Sequence, residues 1–138
     1  MPDKSYEHRS LLDKLGIKPG ARVSILAVDD TAFMADLRER TEDISLGDPA
    51  PDSDAAFLGV EGPDDMAPVA GLRTVIKPDG AVWVVFRKGR KDFNENDVLR
   101  LGLETGLVDV KVVRFSVTHT ATKFVIRKAD RPTQNKRP

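Results

Sequence analysis

The run Ala81–Phe86, AVWVVF, constrains this chain more than any other stretch. It holds six consecutive apolar residues, preceded by Pro78-Asp79-Gly80 and followed by a basic segment. An apolar run of that length, rich in valine and aromatics and bounded by turn residues, reads as a fully buried strand. Strands buried on both faces belong to mostly parallel sheets that helices cover on either side. Trp83, inside the run, is then a core residue. The Pro-Asp-Gly triplet predicts a turn that ends one segment and launches the strand.

The remaining segments supply the helices and strands that such a sheet needs. Residues 5–16 read as a helix capped by Ser5, with His8, Leu11, Leu12 and Leu15 at helical spacing and Gly16 as its stop. His8 on that stripe is a structural residue, since histidine is intermediate in burial and needs no special role there. Residues 21–28 form a strand, and Asp29, Asp30 and Thr31 can cap a helix over 32–40 with Phe33, Met34 and Leu37 inward. A short edge strand fits Ile44–Leu46, Gly47–Asp54 is a loop by composition, and residues 55–60 form another strand. Asp64–Lys77 reads as a helix weakened by Pro68 and Gly71. Asn94 caps a further helix, with Asp97 three residues on, Val98, Leu99, Leu101 and Leu103 packing inward and Gly106 closing it. Val108–Val117 and Thr122–Lys128 form a hairpin around Thr118–Ala121.

Alternation of strands and helices gives the fold class: α/β, a three-layer sandwich. A mostly parallel Rossmann-like sheet carries helices on both faces and ends in a C-terminal antiparallel hairpin. Residues 1–128 form one domain, and residues 129–138 a basic tail expected to be disordered.

Composition removes several function classes. Cysteine is absent, which excludes disulfides, thiolate nucleophiles and cysteine-ligated zinc. No stretch approaches the roughly 18 apolar residues of a membrane helix, so no membrane partner is expected. The opening MPDKSYEHRS lacks the apolar core of a signal peptide, and the cytoplasm is the expected compartment. The formal net charge of zero conceals a division. Residues 29–65 hold twelve acids against two bases, whereas residues 72–138 hold fifteen bases against seven acids. Separated in space, these segments make a dipole that orients a charged partner or a second copy.

Two charged groups are candidate binding residues. Asp29, Asp30 and Glu61 follow strand ends and would line the carboxyl edge of the sheet, where open α/β folds bind ligands. A hard divalent cation is conceivable there, but helix capping explains Asp30 unaided, and no metal is assigned. Arg87, Lys88, Arg90 and Lys91 leave the central strand at the same edge and could hold a phosphate or carboxylate. Nucleic acid is not expected, because the isoelectric point is near 6.7 and Phe93 is the one aromatic beside that loop. His119, placed in the hairpin turn, has no serine or acid at a recognisable spacing, so no catalytic residue is assigned.

Three segments together resemble a known framework: LGIKPGARVSIL (15–26), LRTVIKPDGAVWVVFRK (72–88) and LETGLVDVKVVRFSVTHTATKFVIRK (103–128). They are similar to class I S-adenosylmethionine-dependent methyltransferases over about residues 11–128. More closely, the chain resembles a family of small bacterial proteins of unknown function with that fold. These share the LGIKPG opening, the Pro-Asp-Gly-x-x-Trp strand and the terminal Lys-Phe-Val-x-x-Lys. The resemblance implies a first strand that ends in an acid and a glycine-rich turn, where backbone approaches the cofactor. Here the strand runs into VDDTAF, with no glycine between Gly20 and Gly47. An acid after the second strand should bind the ribose, and Asp48, in a proline-flanked loop, is the nearest.

The expectation is therefore a methyltransferase-like domain that is non-catalytic and acts as an interaction or regulatory module on a protein partner or a second copy. The alternative is an enzyme or sensor that binds S-adenosylmethionine or a nucleotide, with Asp29, Asp30 and Glu61 in an altered cofactor pocket. Either way, the crevice stands open or is covered by the loop from Gly47 to Asp54.

Overall fold

The computed structural model describes residues 10–131, built on a six-stranded sheet in the order β2-β1-β3-β4-β6-β5. The strands are β1 (Val23–Leu26), β2 (Ile44–Leu46), β3 (Ser53–Val60), β4 (Ile76–Arg87), β5 (Leu107–Arg114) and β6 (His119–Ile126). The first four are mutually parallel, β6 runs antiparallel to β4, and β5 runs antiparallel to β6. Helices α1 (Leu11–Lys14), α2 (Thr31–Arg40), α3 (Pro68–Leu72) and α4 (Glu95–Leu103) connect them, with single 3-10 turns at Pro63–Met66 and Lys128–Asp130.

Side chains divide into two cores, one on each face of the sheet. On one face Leu12, Phe33 and Leu37 pack on Val23, Ile25, Phe57, Trp83 and Val85. On the other Val69, Leu72, Phe93 and Val98 pack on Leu58, Val82, Val84, Phe86 and Phe124. The three-layer α/β sandwich is as the sequence implies. Ala81–Phe86 is buried on both faces, and Trp83 stacks on Phe57 with ring centroids 6.2 Å apart. Each large apolar side chain buried this way contributes about 1.5–3 kcal/mol.

Several expected boundaries move, each for a local reason. Ser10 is extended and its side chain accepts a hydrogen bond from the Asp13 N–H, so α1 starts at Leu11 rather than running through from residue 5. Ser5 and His8 lie outside the described residues. Asp64–Lys77 is not one helix: it breaks into the 3-10 turn and α3, with Pro68 opening the second piece, where a proline costs nothing. β3 begins at Ser53, earlier than composition suggests, because the Ser53 hydroxyl is satisfied by Ser24 Oγ and the Ala50 carbonyl.

Pro78-Asp79-Gly80 lies inside β4 rather than ahead of it. Ser53 pairs with Ile76 but Ala55 pairs with Ala81, so the triplet is taken up as a bulge within the strand. Glycine is required there, since a Cβ at Gly80 would lie 2.9 Å from the Asp54 carbonyl oxygen. On α4, Leu103 faces solvent, and Gly102 takes the inward position against the Phe124 ring. The hairpin turn is earlier than expected, at residues 115–118. There the Ser116 hydroxyl accepts from the N–H groups of Thr118 and His119. His119 thus becomes the first residue of β6, paired with Arg87. The turn at Lys128–Asp130 brings Asp130 to Arg73 at 3.8 Å and Arg127 at 3.3 Å. Residues 132–138 of the expected tail lie outside the described residues.

Candidate functional site

The chain leaves β1 for β2 on one side and then crosses to β3 on the other. That reversal sits between the carboxyl ends of β1 and β3, where open α/β sheets form a ligand crevice. A cavity of about 360 Å³ lies there. Its wall includes Ala27, Val28, Asp29 and Asp30 after β1, Gly59, Val60 and Glu61 at the end of β3, and Val85 of β4. Asp65, Phe115, Thr118 and His119 complete it.

The acids predicted from sequence are brought together. Asp30 caps α2, its carboxylate accepting from the Phe33 N–H at 2.9 Å, as capping requires. Asp65 accepts from the Glu61 N–H at 2.8 Å and so fixes the turn after β3. Asp29 and Glu61 are exposed at the rim. Val85 and Phe115 give an apolar wall, with Phe115 held against Phe33 of α2 at a centroid distance of 4.9 Å. His119 Nδ1 is 2.7 Å from Thr118 Oγ1, and the Thr118 carbonyl accepts from the Lys88 N–H, pinning this corner to the end of β4.

The basic residues are placed differently. Arg87, Lys88 and Lys91 are exposed and none of them lines the cavity. Arg90 is held by Asp92 in a bidentate pair at 3.1 and 2.7 Å and donates to the Glu61 carbonyl at 2.6 Å. The hydrogen bonds that Arg90 donates to Asp92 raise the Arg90 pKa and hold the Asp92 carboxyl below the usual range. Arg90 therefore braces the β3 turn.

Glycine is replaced at the decisive turn. Ala27 has φ +61°, the left-handed region in which L residues are strained. Its carbonyl lies directly on Gly59, where an added Cβ would come within 2.1 Å of the oxygen. The backbone after β1 thus packs closely on the end of β3, and both Ala27 and Gly59 form part of the cavity wall. Asp48 is exposed after β2 and does not line the cavity. The turn after β1 lacks the glycines that the resemblance implies for close approach of backbone to a cofactor.

The loop from Gly47 to Asp54 turns away from this cavity. Its Ala50 N–H donates to Ser24 Oγ, and the Pro51 carbonyl and Asp54 carboxylate accept from Arg22, ahead of β1. Among the described residues, no group of three or more histidine or acidic side chains is placed to hold a metal. No helix among them is long and apolar enough to cross a membrane. His119, Phe115 and Asp65 were not singled out from sequence as site residues. With the hairpin turn three residues earlier than the sequence implies, His119 opens β6 and stands on the cavity wall.

Comparison with known proteins agrees with the fold. No protein-family model and no curated protein matches the chain. Among solved structures, an S-adenosylmethionine-dependent methyltransferase from Aquifex aeolicus aligns with a TM-score of 0.64 at 14% identity, covering 83% of this chain and 86% of that one. Magnesium protoporphyrin IX methyltransferase from Synechocystis PCC 6803, with bound S-adenosylmethionine, aligns at 0.60 and 11% identity, covering 83% and 74%. Burkholderia thailandensis 1,6-didemethyltoxoflavin-N1-methyltransferase, with its namesake ligand and S-adenosylhomocysteine bound, aligns at 0.53 and 14%, covering 83% and 73%. The chain has the Rossmann-like fold seen in class I methyltransferases. At these identities the likeness speaks for the fold.

Proposed function

We propose that this methyltransferase-like domain is non-catalytic and works as an interaction or regulatory module, engaging a protein partner or a second copy of itself. The observation that carries the reading is the turn after β1. It has a Cβ at every position from Ala27 to Asp30, two carboxylates at its end, and the Ala27 carbonyl seated on Gly59. Carboxylates at a helix start repel phosphate, which weighs against nucleotides as well. A second reading keeps the cavity as a site for S-adenosylmethionine or a nucleotide in an altered pose, with Asp29, Asp30 and Glu61 toward the ligand. Its support is the position of the cavity at the carboxyl edge.

Thermal unfolding with S-adenosylmethionine, S-adenosylhomocysteine and common nucleotides separates the two. A ligand at a hundredfold excess over its Kd adds about 2.7 kcal/mol. In a domain of this size that raises Tm by several degrees. The module reading expects no shift with any of them. A clear shift with either methionine compound overturns it.

A further inference from the structure

The charge division of the sequence is also a division in space. Residues 29–65, with twelve acids against two bases, build α2, β2 and β3. Residues 72–131, with thirteen bases against seven acids, build β4, α4, β5 and β6. In the sheet these occupy opposite halves, so among the described residues β2 is the open edge of the acidic half and β5 that of the basic half. Both edges carry exposed apolar side chains: Leu46 on β2 is 60% exposed, and Val110 and Val112 on β5 are 52% and 47% exposed. Lys111 and Arg114 are exposed beside the valines, and Glu42 and Asp48 are exposed on either side of β2.

An open strand edge with apolar side chains is a template for association unless something blunts it. A bulge does so in part here: Asp109 pairs with Phe124 and Lys111 with Lys123, leaving Val110 as the extra residue. A bulged edge resists extension of the hydrogen-bonded ladder, so contact falls to side chains. A two-fold pairing would set basic edge on basic edge, or acidic on acidic. The complementary partner for each edge is the other edge of the same chain.

We propose that copies of this protein associate head to tail, the β5 edge of one against the β2 edge of the next. Val110 and Val112 meet Leu46, and Lys111 and Arg114 face Glu42 and Asp48. Such a heterologous contact leaves a free edge at each end of any assembly short of a ring, so assemblies grow with concentration. The apolar area is small and the charges are exposed, so the association is weak and salt-sensitive. This rests on the reading of the domain as an interaction module and names its partner as a second copy.

Analytical ultracentrifugation tests it, at ionic strengths of about 0.01 M and about 1 M, where the screening length falls from about 30 Å to 3 Å. At low salt the average mass of the wild-type chain rises with concentration, and at high salt it returns to that of the monomer. The double variant K111E/R114E stays monomeric, as does E42K/D48K, and mixing the two restores association because both contacts are again complementary. A wild type that is monomeric at low salt, an assembly that survives high salt or charge reversal, or a mixture that stays monomeric overturns the proposal. A monomeric wild type that also leaves the methionine compounds unbound sinks this contact alone and leaves the module reading standing.

Discussion

Ala27 and Gly59 shape the candidate site between them. Ala27 stands at φ +61°, and the oxygen it presents fills the space a side chain at position 59 would need. Two substitutions separate the two halves of that statement. Gly59→Ala puts a Cβ against backbone, which has no flexible end to yield, so a loss of about 1–3 kcal/mol is expected. Ala27→Gly acts the other way. Relief of the left-handed strain is worth about 1–2 kcal/mol, offset by about 0.5–1 kcal/mol of extra backbone freedom in the unfolded chain. The net is a gain of up to about 1.5 kcal/mol, read as a higher urea midpoint with unchanged m. A loss on Ala27→Gly would mean that the turn is held by something other than the packing against Gly59.

Among elements, α2 and α4 start alike but matter differently. Asn94 accepts from the N–H groups of Asn96 and Asp97, and Asp97 accepts from the Asn94 N–H, a full capping box. Asp30 makes the single cap of α2 and also lines the cavity. Asn94→Ala and Asp30→Ala should each cost about 1 kcal/mol in chemical denaturation. If Asp30 is only a cap, the variant's melting response to the methionine compounds and nucleotides matches that of the wild type. Both caps were legible in the sequence, because an acid or amide before an amphipathic run has one local meaning. The central strand was legible too, because six apolar residues rich in valine and aromatics between turn residues are too short for a buried helix. The position of His119 was not. Whether 115–118 or 118–121 forms the turn depends on the Ser116 hydroxyl reaching the Thr118 and His119 N–H groups, a contact that composition does not reveal. Nor was the bulge at Pro78–Gly80, since turn residues read alike whether they end a strand or interrupt one.

At the scale of the molecule, the two edges of the sheet do different work. The carboxyl edge holds the cavity, and the amino edge is tied by Asp54. Its carboxylate accepts from the Arg22 N–H at 2.9 Å and from Lys77 Nζ at 2.8 Å, joining the start of β3 to the approach to β1 and to β4. Burial pushes this carboxyl up, but the hydrogen bonds from Lys77 and Arg22 outweigh it and hold it below its ordinary value of 3.8. A carboxyl with a depressed folded pKa stabilises the fold above its unfolded value, and that contribution is lost as pH falls through the folded value. The window therefore opens near pH 3.8 and extends below it. Asp54 and Lys77 side chains are 39% and 45% exposed, so solvent screening limits the contribution to at most about 1 kcal/mol. The Asp54→Asn variant should be less stable than the wild type at neutral pH by about that amount. Its stability should fall less steeply with acid, so that urea midpoints of the two converge below pH 3.8. Parallel curves down to the lowest pH would show that the amino edge is held by strand pairing alone.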